Sequence, residues 1–344
     1  MIEAAWIERI EIPVPFPPGS TNCYFIPDSI PTLIDSGINI PEALQGLQDG
    51  LKKFGVAISD IRRIVLTHGH ADHAGAAGVI AAASRAPVFV HCRDKYWALI
   101  GREELRKKNE GFFHGFFEKA GVPEEIAREW TGAILSRFRK HFAPVSSMEL
   151  LEGGEVFSFD RFKLKVFHTP GHTAGSICLL DETAGVIFSG DSLIKGTIPH
   201  VSAELESGEG LPRYYGLEQY EKSLELLGAL PVRSVLPGHG APFRDHRDLV
   251  ARVKRNRVRR RKRILDLLRA KESKTLGASG MTEFEVAHRL FLSATIRRAM
   301  FSIISEVRSC LETMEKEGLV ASVVSHGIHL YHPSCDYHEK EVSR

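Results

Sequence analysis

Seven histidine and aspartate residues have types and spacings that suit a metal site. Four fall within six positions of the segment THGHADHAG, which begins at Thr67. Neutral imidazole nitrogens and carboxylate oxygens bind Zn²⁺ at about 2.0–2.2 Å, and the small residues between them let the backbone turn tightly. The other three occur singly in the sequences TPGHTAG, FSGDS and PGHGAP. The seven candidate ligands are His68, His70, Asp72, His73, His172, Asp191 and His239.

A single histidine in a loop is usually an ordinary solvated residue, because polar residues are common in loops. Each of the three isolated candidates, however, follows an apolar run typical of a β-strand. Together with the cluster from His68 to His73, they favour a metal site built on the ends of several strands. Five further histidines are predicted to be ordinary surface or strand residues; they are His91, His114, His141, His168 and His200.

Strands and helices alternate before residue 243, and the candidate ligands follow the strands. Residues 61–66 (IRRIVL) are predicted as a strand that leads directly into the first ligands. A helix over 74–85 and a strand over 87–91 complete the order of a βαβ unit. Strands and a helix recur over 155–243. We therefore predict two βαβ-type halves, packed sheet on sheet with helices outside.

The order of the ligands resembles that of the metallo-β-lactamase superfamily. The resemblance rests on His68-x-His70-x-Asp72-His73, followed by the three isolated ligands, and it covers residues 1–243. It implies an α+β fold, an αββα four-layer sandwich, with two metals between the loop ends of the two sheets. Asp35, in the sequence IDSG, would support the ligands by this resemblance, although a purely structural turn role fits it equally well.

The resemblance also implies a role for each ligand. The first metal would be held by His68, His70 and His172, the second by Asp72, His73 and His239, with Asp191 bridging both. Two cations about 3.5–4 Å apart lower the pKa of a bridging water and polarise a scissile carbonyl or phosphoryl group. The resulting metal-bound hydroxide would be the nucleophile, and Asp72 is the candidate catalytic acceptor of its proton. Two zinc ions are expected, with iron and manganese as alternatives, because all three accept these ligands.

The presence of both His73 and Asp191 limits which branches of the superfamily this chain resembles, and so which reactions are expected. Penicillin-hydrolysing members with a histidine directly after the aspartate of the H-x-H-x-D motif usually lack the bridging aspartate, so the thioesterase, lactonase, glyoxalase II and ribonuclease branches fit better. A helical insertion over about 93–145 carries Phe112, Phe113, Phe116 and Phe117. These aromatics either form a lid over an apolar acyl site or pack as core. We expect a small acyl substrate with a carboxylic ester, thioester or lactone bond.

Residues 244–344 differ in composition from the rest of the chain. Nine of the twelve residues from Arg252 to Arg263 are Lys or Arg, and they are predicted to lie on one long helix. Further helices and a hairpin turning at His326-Gly327 indicate a small α+β winged-helix domain, which resembles the β-lactamase-like endoribonuclease subgroup. RNA, bound through its phosphates, is therefore the alternative substrate. The same cations also suit pairing with acidic residues of the neighbouring domain or of a second subunit in a homodimer. A metal-dependent regulatory or binding protein is the alternative without catalysis.

The composition sets the remaining limits. The 344 residues are 43% hydrophobic and 26% charged, with a net charge of +2, as in ordinary soluble proteins, and their number predicts two domains. No run reaches the roughly 18 apolar residues of a membrane span, and the first residues lack the features of a secretory signal. Five scattered cysteines without a C-x-x-C pair predict neither a disulfide framework nor a cysteine zinc site. A cytoplasmic location is expected.

Overall fold

The first six strands of the chain form one mixed sheet. The structure, a computed structural model, describes residues 6–17, 19–100, 102–203, 212–272 and 280–334. The strands, in both chain and sheet order, are β1 (Glu8–Pro13), β2 (Ser20–Ile26), β3 (Thr32–Ile34), β4 (Arg63–Val65), β5 (Val88–His91) and β6 (Glu149–Leu151). Strands β1 to β3 pair antiparallel, whereas β3 to β6 are parallel neighbours. The parallel half places the carboxyl ends of β3, β4 and β5 at one edge.

A second sheet of five strands follows. Its members are β7 (Val156–Ser158), β8 (Lys163–His168), β9 (Ile177–Asp181), β10 (Val186–Gly190) and β11 (Ser234–Pro237). The sheet order is β11-β10-β9-β8-β7, antiparallel except for the pair β10–β11. The parallel pair brings the carboxyl ends of β10 and β11 together, and these ends precede Asp191 and His239.

Alternation along the strands explains how the two sheets pack. In β9, Ile177 and Leu179 join a hydrophobic cluster made of residues from both sheets, whereas Cys178 and Leu180 join a second cluster that includes helix residues. Successive side chains of a strand point to opposite faces. One face of β9 therefore packs in a cluster shared by the two sheets, and the other face packs in a cluster that includes helices.

The helices lie between these strands and after them. In the first 243 residues they are α1 (Pro41–Lys52), α2 (Ala71–Ala74), α3 (Ala77–Ser84), α4 (Lys95–Leu99), α5 (Arg106–Lys119), α6 (Glu124–His141) and α7 (Gly216–Ala229). The helix predicted over 74–85 is observed as α3, and a separate short helix, α2, precedes it among the candidate ligands. The chain there passes close to another backbone, since a Cβ on Gly75 would lie 2.3 Å from the carbonyl oxygen of His141. A tight approach of this kind suits glycine.

Burial separates the two interpretations of the aromatic insertion. Phe113, Phe116 and Phe117 are buried. The ring centroid of Phe301, on a C-terminal helix, is 5.1 Å from that of Phe113 and 4.9 Å from that of Phe116. The guanidinium of Arg308 lies over the Phe116 ring, 4.0 Å from its centroid. These aromatics pack the insertion onto the C-terminal helices, so they lend no support to an aromatic lid.

The described residues after 243 form three helices and a hairpin, in the predicted order. The elements are α8 (His246–Glu272), α9 (Glu283–Leu290), α10 (Ser293–Lys316), β12 (Val320–Ser325) and β13 (Ile328–Pro333). Helix α10 is kinked at Ala299, whose backbone angles are not helical. Residues of α8 and α10 belong to the same hydrophobic cluster as residues of α7. The C-terminal part thus shares a core with the rest of the chain, and a separate domain beginning at residue 244 stays a prediction.

Helix α8 carries the whole basic run, and much of its charge is paired. Arg260 contacts Glu306 at 2.6 Å, Arg261 pairs with Glu317, and Lys254 lies 3.1 Å from Glu225. Pairing with neighbouring acidic residues, one of the interpretations of this run, therefore accounts for several of its cations.

None of the helices described is both long and apolar enough to cross a membrane. The four cysteines in the described part of the chain are free thiols, which agrees with the expected absence of a disulfide framework there. Cys335 lies outside the described residues.

Candidate metal centre

Three of the predicted histidines form a first ligand group at one edge of the two sheets. His68 and His70 follow β4, and His172 lies in the loop between β8 and β9. A ligand nitrogen from each lies within 4.8 Å of the others. His70 Nδ1 is 2.8 Å from His172 Nε2. Three imidazole nitrogens this close together form a donor set that suits a zinc-type ion.

The second ligand group, Asp72, His73 and His239, also lies within 4.8 Å. Asp72 and His73 lie on α2, and His239 follows β11. His239 Nε2 is 3.3 Å from both Asp72 Oδ2 and His73 Nε2. His239 Nδ1 donates to the carbonyl oxygen of Ser20 at 2.6 Å. Because Nδ1 is engaged in that bond, Nε2 is the nitrogen available to a metal ion.

Asp191 lies between the two groups, directly after β10. Its Oδ2 is 3.4 Å from His172 Nε2 and 3.5 Å from His239 Nε2. The other carboxylate oxygen, Oδ1, and Nε2 of His68 are both buried and form no hydrogen bond with the described residues. Buried polar atoms are rarely left without a partner. These two atoms, within a donor set of imidazoles and carboxylates, are therefore suited to ligate a metal ion.

The two groups differ in electrostatics. Burial lowers the pKa of His68, His70 and His172 below the usual histidine range, so these rings are neutral. Burial acts in the same direction on His73 and His239. There, however, the charges of the carboxylates Asp191 and Asp72 outweigh it and raise the pKa to about 9 and about 11. The carboxylates thus give the second group a negative potential that favours a cation, whether a proton on the rings or a metal ion.

The family follows from a match over most of this architecture. Residues 16–239 match the family model described as the metallo-beta-lactamase superfamily. The chain belongs to this superfamily. With its relatives named as metallo-hydrolases, it is a metal-dependent hydrolase.

The similarity to relatives extends beyond the matched residues. The chain is 29% identical over 318 residues to a Bacillus subtilis protein named "Probable metallo-hydrolase YqjP", covering 91% of this chain and 93% of that protein. It superposes with a TM-score of 0.79, at 26% identity, on a metallo-beta-lactamase family protein from Thermus thermophilus, covering 96% of this chain and 99% of that one. A stretch of 82 residues is 43% identical to the hydroxyacylglutathione hydrolase of Maricaulis maris, covering 23% of this chain and 31% of that protein. The first two matches include the C-terminal part.

Asp35, for which the sequence left two roles open, supports this metallo-β-lactamase-type centre from behind the second group. Its Oδ2 accepts hydrogen bonds from His73 Nδ1 and from the hydroxyl of Thr67, both at 2.8 Å, and its Oδ1 accepts from the Thr67 amide at 2.7 Å. Its φ of 59° is in the left-handed region, which aspartate tolerates better than most residues. Asp35 therefore both forms the turn and orients His73.

Asp94, which the sequence did not single out, links the two loops of the first group. This fully buried carboxylate accepts from the Gly69 amide at 2.8 Å, the Thr173 hydroxyl at 2.6 Å and the Gly175 amide at 2.8 Å. Gly69 lies between His68 and His70, and Thr173 follows His172. The three bonds hold those loops at a fixed distance. No local pattern marks Asp94, because its partners lie 25 and about 80 residues away.

The prediction that His200 is an ordinary histidine was wrong. Its ring stacks on His70 with centroids 5.7 Å apart, and meets His172 edge-on at 4.7 Å. Burial, followed by the neighbouring His172, lowers the pKa of His200 to about 3, so the ring is neutral. His91 and His168 stack on each other instead, with centroids 3.8 Å apart. His200 stands in no recognisable motif. It reaches the centre only because the folded segment 199–202 lies against His70 and His172.

Proposed function

We propose that this protein hydrolyses a carboxylic ester, thioester or lactone of a small acyl molecule, using two divalent metal ions, with zinc as the expected metal. The observation that supports two ions is the position of Asp191. One carboxylate lies within 3.5 Å of both His172 and His239, which belong to different ligand groups. A carboxylate placed in this way suits bridging of two cations.

The positions of the candidate ligands suggest which metal each would bind. His68, His70 and His172 would hold one metal, and Asp72, His73 and His239 the other. Bound metals would supply an activated water and polarise the scissile carbonyl. Burial acts to raise the pKa of Asp72, but His73 and His239 outweigh it and lower it to about 2. Asp72 is therefore ionised at neutral pH, the form that ligates a metal and accepts a proton.

An acyl substrate is favoured over antibiotics by the presence of both His73 and Asp191. The hydroxyacylglutathione hydrolase that shares 43% identity over 82 residues is named for a thioester substrate. Because the insertion aromatics are packed against α10 rather than lining the centre, they no longer contribute to this preference. The preference for acyl bonds rests on the ligand set and this partial similarity.

RNA remains the alternative substrate, supported by exposed cations of α8. Arg252, Arg255, Arg259 and Lys262 recur at helical spacing, are exposed, and form no ion pair within the described residues. Against RNA, Arg257, Arg260 and Arg261 are engaged with acidic side chains of this same chain. An unpaired row of cations on a helix is also an ordinary solvated face.

For the fold, we propose that the packing of the two sheets and their helices is the αββα four-layer sandwich. We also propose that α8 to α10 with β12 and β13 form a winged-helix unit. The order of helices followed by a hairpin supports the second proposal.

A side-by-side assay tests the proposed reaction. Zinc-loaded and chelator-treated protein would be compared on p-nitrophenyl acyl esters, acyl thioesters and lactones, and on bis-p-nitrophenyl phosphate and single-stranded RNA. We expect acyl turnover that disappears with the metal and returns on reloading. RNA cleavage that falls steeply with salt, without acyl turnover, would overturn the proposed substrate. An identically purified Asp191→Ala protein controls for contaminating hydrolases.

A further inference from the structure

The segment of residues 199–202 lies directly against the first ligand group. The Nδ1 of His172 donates to the carbonyl oxygen of His200 at 3.1 Å, and the amide of Ser202 donates to the carbonyl oxygen of His172 at 3.0 Å. The hydroxyl of Ser202 is 3.3 Å from Nε2 of His70. In both histidines the nitrogen facing the centre is therefore the one that this segment leaves unoccupied.

Contacts of this kind determine how a histidine presents its lone pair. A histidine that ligates a metal usually bonds through its other ring nitrogen to a carbonyl, carboxylate or similar group, which fixes the tautomer and the ring orientation. Here the segment 199–202 provides that partner for two of the three ligands in the first group. The position of its backbone is thus part of the geometry of the centre.

Two buried charged residues of the C-terminal helices hold that backbone. Glu306, on α10, accepts a hydrogen bond from the Val201 amide through Oε2 at 3.0 Å. Its other carboxylate oxygen receives Arg257 and Arg260 of α8. Arg257 also donates to the carbonyl oxygen of Pro199. The pair therefore bonds the segment at the amide of Val201 and the carbonyl oxygen of Pro199, on either side of His200.

The burial of this pair argues that it does more than join two helices. Arg257 and Glu306 are 1% and 2% exposed. Removing two charges from water is costly, and well-packed apolar residues often join elements as well or better. An apolar pair, however, could not satisfy the amide of Val201 and the carbonyl of Pro199.

We propose that Arg257 and Glu306 are positioning residues of the first ligand group, through which the C-terminal helices fix the orientation of His70 and His172. This rests on the proposed metal centre but not on the identity of the substrate. The C-terminal part is then a structural component of the centre itself, in addition to anything it binds.

Glu306→Gln, compared with Glu283→Gln, tests this role. Glu283 is the matched control because it is 1% exposed, lies in the C-terminal part and pairs with Arg308 at 2.8 Å. Arg308 reaches the carbonyl oxygen of Phe116 and not the segment 199–202. Both substitutions remove a buried negative charge, so both should lower the melting temperature.

The readouts that separate the two variants are metal affinity, from competition with a chelator, and the absorption spectrum of the Co²⁺-substituted protein. We expect Glu306→Gln to weaken the affinity for one of the two metals by about 10- to 100-fold and to change the Co²⁺ spectrum. Glu283→Gln should keep both wild-type values at a temperature where circular dichroism shows it folded. Wild-type affinity and spectrum in folded Glu306→Gln protein, or equal losses in both variants, would overturn the proposal.

Arg257→Lys provides a second variant in case Glu306→Gln does not fold. It keeps the positive charge but lacks the planar fork that contacts two acceptors together. We expect the same loss of metal affinity, and a folded Arg257→Lys protein with unchanged affinity would contradict the role. Because metal binding is measured directly, absent acyl turnover in the wild type would reject the proposed substrate while this test still gave its answer.

Discussion

The two ligand groups of the centre lie side by side but are supported from different parts of the molecule. The second group is supported within the sheets, by Asp35 behind His73 and by the carbonyl oxygen of Ser20 behind His239. The first group depends on other elements: Asp94, after β5, links its loops, and the segment 199–202, held by the C-terminal helices, orients two of its rings. Its geometry therefore depends on more of the tertiary structure.

The two groups also differ in the charge of their side chains. Burial keeps the three histidines of the first group neutral, whereas the carboxylates Asp72 and Asp191 raise the pKa of both histidines of the second. A group of neutral imidazoles depends chiefly on orientation to bind a cation, while carboxylates add direct attraction. We infer that errors of position affect the first group most, and losses of charge the second.

Asp191→Ala should have the largest effect, because this side chain reaches both groups. We expect the metal content to fall from about two per chain, the number in a two-metal site, to one or less, and hydrolysis to fall to the level of metal-free protein. Metal analysis and turnover on the same sample check this. Full activity in protein stripped of metal would refute the metal centre altogether.

Asp94→Asn and Asp35→Asn act chiefly on different groups, because Asp94 links the loops of the first and Asp35 bonds directly to His73 of the second. Loss of such a supporting partner typically costs about 10- to 100-fold in metal affinity or activity. We expect Asp94→Asn to weaken one metal and Asp35→Asn the other, so that each variant keeps one equivalent of tightly bound Co²⁺ with a different absorption spectrum.

The same spectrum in both variants would contradict the division into two groups. Thr131→Ser is the control, because it changes a buried polar side chain on α6. Thr131 is not among the candidate ligands or their hydrogen-bond partners. It should retain both equivalents of metal with the wild-type spectrum.

The candidate ligands could be recognised in the sequence because each carries local information. Four of them fall within six positions, and the others follow apolar strands and stand among glycine, proline or serine. The strands on which they depend were recognisable for the same reason, since alternating or apolar runs bounded by turn residues indicate strands. The sequence therefore predicted both the candidate ligands and the strands that carry them.

The supports of the first group could not be found in this way. Asp94, His200 and Ser202 reach the ligands only after the chain has folded, across separations of 25 to 132 residues. Each stands in a segment without a distinctive spacing. Contacts set by tertiary packing leave no mark in a single local pattern.

Arg257 is different, because a signal was present. Val250, Val253, Ile264 and Leu268 form the apolar stripe of α8, and Arg257 falls in the same stripe, four residues after Val253. Helical periodicity puts residues three or four apart on one face, so this arginine could have been predicted as buried within a run otherwise taken as one basic surface.

The smallest effect is expected for Arg255→Gln, two positions from Arg257 on the exposed side of α8. Arg255 is exposed and forms no ion pair with the described residues, so the free energy of unfolding should change by less than about 0.5 kcal/mol. Metal affinity and acyl turnover should equal those of the wild type, because neither ligand group has a contact with this side chain. If RNA were the substrate, however, the same change would reduce RNA binding and the slope of its salt dependence. Unchanged metal affinity in Arg255→Gln, against a loss in Arg257→Lys, would locate the support of the first group on the buried face of the helix alone.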